Sequence, residues 1–128
     1  MAGEPKISTV TVIPFDKFWK WLQGHPNCIL SAGTGDVLVH DSDDFHWHFA
    51  QEENGDFVVE VIRGKQLVSE MVIVPREISC VQVEPKAEEE FLFECIVENE
   101  DDRIAAYQFV LSHGYDETQS AAPGRWVH

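Results

Sequence analysis

The hydrophobic period of this chain changes at Pro26, and that change constrains the fold more than any other feature. Before it, Phe15, Phe18, Trp19 and Leu22 fall at i, i+3, i+4 and i+7, one stripe of a short helix from Pro14 to Gly24. Asp16 stands where it can cap the first turn, and Gly24 with Pro26 supplies the stop. After Pro26 the period is two. Cys28 to Ala32 and Asp36 to His40 read as strands around Gly33-Thr34-Gly35, and Phe45 to Glu52 and Phe57 to Ile62 flank Asn54-Gly55, which suits a type I′ turn. Ile62 and Leu67 flank a second turn with Gly64 at the first central position of type II′. Leu67 to Val74, Ile78 to Val83 and Phe91 to Val97 are further strands, broken by Pro75 and ended by Pro85. Ile7 to Ile13 alternates well enough for an edge strand.

The pattern predicts an α+β domain: a short N-terminal helix on a curved, mainly antiparallel meander of six to seven strands. Asp101 to His113 reads two ways. As a helix it has an acidic start, a stripe of Ile104, Tyr107 and Leu111, and a stop at His113-Gly114. As a strand it would form a hairpin with Phe91 to Val97. The adjacent Ala105 and Ala106 tip the reading toward a second helix. From Tyr115 onward Ser, Gln, Ala, Pro and Gly dominate, which predicts one domain over 1–114 and a mobile tail over 115–128.

The 128 residues suit one domain, and the charge balance narrows its partners. Nine Lys and Arg against 23 Asp and Glu give a net charge of −14. Such a chain lacks the clustered cations that neutralise nucleic-acid phosphate or dock on an anionic membrane. No secretory leader pattern and no membrane-length apolar run are visible, and Cys28, Cys80 and Cys95 are widely spaced among apolar neighbours. Those features predict reduced, inert core thiols and a cytoplasmic protein.

The residues with most chemical promise lie between Asp41 and Glu52. On a strand His46, His48 and Glu52 point to one face, and two imidazoles with one carboxylate are the ligand set of a non-haem iron or zinc centre. The spacing His-x-His-x-x-x-Glu resembles the first metal-binding motif of the cupins, which implies a β-barrel holding a divalent transition metal. The chain departs from that motif at His40 and Val59, where cupins carry glycine. Only Pro123-Gly124 and the terminal His128 stand in for the second motif. The alternative is a half-buried sheet face: counting from Asn54-Gly55 as a two-residue turn sets His48 opposite Val61 and Ala50 opposite Val59. The Asp41, Asp43, Asp44 cluster lacks the glycine and terminal glutamate of an EF-hand. Gly33-Thr34-Gly35 is too short for a dinucleotide fingerprint, and no Gly-x-Ser-x-Gly elbow occurs.

Acidity is concentrated in Glu88, Glu89, Glu90, Glu94, Glu98, Glu100, Asp101 and Asp102. It serves either as a solvated edge that resists aggregation or as a docking surface. Trp21 lies off the helical stripe and is expected to be an exposed anchor. The favoured reading is a small, acidic, non-enzymatic interaction module, of chaperone, inhibitor, immunity or regulatory-subunit type, that binds a basic protein partner. Its contact candidates are Trp21, Glu98, Glu100, Asp101 and Asp102. It is similar in size and charge to type III secretion chaperones and to acidic inhibitors that mimic DNA. The alternative is a cupin-like metal-dependent enzyme or sensor using His46, His48 and Glu52. A homodimer is expected because Val59, Val61, Val68 and Val72 are assigned to one face, and Val58, Ile62, Leu67 and Met71 to the other.

Overall fold

A computed structural model describes residues 10–116. It holds one helix, α1 (Phe15–Gln23), and nine strands: β1 (Thr11–Ile13), β2 (Ile29–Gly33), β3 (Leu38–His40), β4 (Phe45–Gln51), β5 (Phe57–Arg63), β6 (Gln66–Ile73), β7 (Cys80–Ala87), β8 (Glu90–Glu98) and β9 (Arg103–Leu111). Helix and antiparallel sheet make this an α+β fold. A six-stranded sheet runs in the order β1-β7-β8-β9-β2-β3, and β4-β5-β6 form a separate three-stranded sheet. The sequence pattern had run these three strands into the same meander.

Helix α1 lies between the two sheets. Phe15 and Trp19 face the small sheet, where Trp19 stacks on Phe57 at 4.6 Å and meets Phe49 edge-on at 5.5 Å. Phe18 and Trp21 face the large sheet, each stacked on Phe93 at 5.2 and 5.3 Å. Leu22 and the four aromatic residues are all buried, so apolar contact covers far more of α1 than one stripe. A helix covered on two sides needs two adjacent apolar rows, and Trp21 stands in the second of them. The expectation of an exposed Trp21 is therefore corrected: it is 1% exposed. Pro14 precedes the helix without a side-chain cap, leaving Asp16 as a first-turn charge that favours the dipole.

The β4–β5 turn corrects a second expectation. The Gly55 N–H donates to the Glu52 carbonyl at 2.9 Å, Gly55 has φ +96°, and no other residue of this turn has positive φ. That is a type I turn followed by a left-handed glycine, one residue longer than the expected type I′ loop. The added residue shifts the register by one: Trp47 opposes Val61, and His48 opposes Glu60. Because side chains alternate, the shift moves both histidines to the outer face. The β5–β6 turn matches its expectation, with Gly64 alone at positive φ (+64°) between the paired Arg63 and Gln66.

Asp101 to His113 is not a second helix. Its strand β9 pairs with β8 on one side and β2 on the other, and these ladders satisfy backbone groups on both edges. Pro85 does not end β7, which continues to Ala87: Pro85 pairs with Phe91 of β8, two residues beyond Val83, the partner of Thr11 in β1. Tyr115, assigned to the tail, packs against Trp21 with ring centroids 5.4 Å apart. Residues 117–128 and the start of the first expected strand, 7–9, lie outside the described residues. No helix among the described residues is long and apolar enough to cross a membrane.

Candidate functional site

The acidic run divides between the two ends of one strand. Glu88 and Glu89 form the β7–β8 turn, and 99–102 form the β8–β9 turn. The nine residues of β8 separate them by roughly 30 Å. Glu98, Glu100, Asp101 and Asp102 are therefore one exposed turn. Glu98 accepts from Arg103 Nε at 3.1 Å, while Glu100, Asp101 and Asp102 have no ion pair among the described residues. Glu94 is half-buried on the outer face of the large sheet. Burial, and then the charge of Glu84, hold its carboxyl above the usual carboxylate range.

The proposed metal ligands do not converge. His46 and His48 are exposed on the outer face of the small sheet, and Glu52 lies beyond the end of β4. His48 Nδ1 lies 3.0 Å from Glu60 Oε1, so its cross-strand neighbour takes it. Among the described residues no three His, Cys, Asp or Glu side chains come together as a metal site. The signal for this arrangement was in the sequence: Phe45, Trp47 and Phe49 alternate with the two histidines, and the aromatic set had the stronger demand for the core.

The thiols separate. Cys95 is buried, and burial, followed by the proximity of Cys80, pushes its pKa far up, which makes it inert. Half-buried Cys28 has its Sγ 3.0 Å from His113 Nε2, and the His113 ring meets that of His25 edge-on at 5.1 Å. The spacing of 85 residues between Cys28 and His113 hid this pair from the sequence.

A feature the sequence did not reveal is an apolar-walled cleft of about 230 Å³ where the two sheets face each other beyond the helix. Its origin is a mismatch of lengths. Nine residues of α1 span about 13 Å, whereas the seven of β5 span about 23 Å. The helix packs on Phe49 and Phe57 toward one end of β4 and β5; Trp47 and Val61, toward the other end, line the cleft. Ala32, Val37 and Val39 form the opposite wall. Trp47 Nε1 donates to Asp41 Oδ1 at 2.9 Å, which holds the indole as part of the lining. Glu70 is the one charged residue among those lining the cleft. Gly33 is required here, because a Cβ would collide with the Val37 carbonyl oxygen and lie 2.8 Å from Leu38 Cα.

Comparison with protein-family models, with curated proteins and with solved structures yields no match to this chain.

Proposed function

We propose that this protein is a non-enzymatic interaction module that binds a basic protein partner through its acidic surface. The observation that carries the reading is the β8–β9 turn, where Glu100, Asp101 and Asp102 are exposed without an ion pair among the described residues. On a chain of net charge −14, such a turn attracts a basic partner over about a Debye length, roughly 8 Å at physiological salt. Exposed pairs contribute only about 0–1 kcal/mol each, so this turn governs encounter rate more than the lifetime of the complex. Buried Trp21 cannot be the apolar anchor, and an anchor has to come from another surface.

The test is affinity capture from a lysate of the source cell at low and high salt, with kinetics on the captured partner. Reversing the charges of Glu98, Glu100, Asp101 and Asp102 together is expected to slow association and flatten its salt dependence, with little change in dissociation. Capture that is indifferent to both salt and the reversal overturns the reading.

A further inference from the structure

We propose that the inter-sheet cleft receives an extended segment of the basic partner, which adds to the free edge of β6 and sets alternate apolar side chains between the sheets. The inference deepens the interaction reading and rests on it.

The cleft has the depth for apolar side chains. Trp47, Val59 and Val61 line it and are nonetheless buried, while Val37 and Val72, 63% and 45% exposed, stand at the rim. An apolar cavity of about 150 Å³ admits a benzene-sized group, so a cleft of about 230 Å³ accepts one aromatic or two aliphatic side chains.

The border of the cleft specifies an extended backbone as the occupant. Ser69, Glu70, Met71 and Val72 all line it. Consecutive residues of a strand point to opposite faces, so a run of four borders the cleft along the strand's edge. Among the described residues β6 pairs only with β5, so no other strand there takes the N–H and C=O groups of its outer edge. A segment laid along it gains main-chain hydrogen bonds while its inward side chains enter the cleft.

Charge selects a basic segment. On the outer face His48, Glu60 and Glu70 form a cross-strand row, with Glu60 and Glu70 directly opposed. Glu60 has His48 at 3.0 Å, whereas Glu70 has no ion pair among the described residues. Like charges directly opposed are destabilising, and the next place in the row lies on the incoming strand. A Lys or Arg there meets Glu70 and relieves the repulsion. The same carboxylate discourages a second copy of β6 from pairing, as does the bulge that leaves Val68 unpaired in the ladder.

The probe is the peptide acetyl-Val-Lys-Leu-Lys-Val-amide, compared with its counterpart carrying Glu in place of Lys, both titrated into the full chain. The expected result is slowed amide exchange at 69–72, a shift of the Trp47 indole N–H resonance, and roughly tenfold preference for the Lys peptide. Glu70→Lys, at an exposed position, is expected to reverse that preference without loss of fold. Equal affinity for the two peptides, or binding that leaves Trp47 and 69–72 unchanged, overturns the inference. Trp126→Ala is expected to leave peptide affinity unchanged; a tenfold gain would make the chain's own terminus the occupant and overturn the partner assignment. Salt-sensitive capture of a partner with no peptide effect at β6 overturns the cleft and leaves the acidic-surface reading standing. Peptide binding as expected with no salt-sensitive capture does the reverse.

Discussion

Replacing Trp21 separates a core role from a surface role by free energy alone. The ring is 1% exposed and touches Phe18, His25, Phe93, His113 and Tyr115, with centroid distances from 4.4 to 6.4 Å. A buried tryptophan removes about 150–250 Å² from water, and at about 25 cal/mol per Å² that is roughly 4–6 kcal/mol. Trp21→Ala retains the Cβ and some collapse of the site, so a loss of about 3–5 kcal/mol is expected. Trp21→Phe should behave differently. The indole Nε1 is buried with no hydrogen-bond partner among the described residues, a state that costs about 1–3 kcal/mol. Phenylalanine gives up roughly 2 kcal/mol of apolar burial and removes that orphan donor, so the net change is expected within about 1 kcal/mol. Urea unfolding followed by far-ultraviolet circular dichroism reads both, at constant m-value. A Trp21→Ala variant within about 0.5 kcal/mol of the parent, the range of ordinary surface changes, would refute the two-sided burial of α1. Equal losses for Ala and Phe would refute the argument from the indole N–H.

Three further substitutions test the large sheet. Glu89 has φ +60°, the only non-glycine residue among those described in the left-handed region, so Glu89→Gly is expected to stabilise by about 0.5–1 kcal/mol, while Glu88→Gly next to it destabilises. The same sign for both in thermal unfolding would refute the strain at 89. Glu94→Gln tests the outer face. The folded carboxyl binds its proton more tightly than the unfolded one at its ordinary value of 4.5, because of burial and then Glu84. Its penalty is absent below that value and grows as pH rises through the folded pKa. The variant is therefore expected to be more stable than the parent at pH 7, with the gap closing as pH falls below the ordinary value of 4.5. A gap independent of pH would contradict the assignment.

Local information in the chain sufficed wherever a rule acts within one element or one turn. The spacing of Phe15, Phe18, Trp19 and Leu22 specified α1, and alternation located most strands within a few residues. Gly64 identified its turn because positive φ at that place leaves little choice of residue. Other features depended on neighbours remote in sequence. Asn54-Gly55 marks a turn but is compatible with two loop lengths, and the outcome followed from which face of β4 the helix and core would accept. Asp101 to His113 has a tolerable pattern for either state; flanking by β8 and β2 made it a strand, since both edges then find hydrogen-bond partners. Trp21 looked exposed because a single apolar stripe presupposes a single sheet, and the second sheet exists only once β4, β5 and β6 leave the first. The cleft is least local of all, set by a helix shorter than the strands β4, β5 and β6 that form one of its walls. Periodicity records which side of an element is apolar, whereas the surfaces that meet it, and the space left between them, are set by how all the elements pack together.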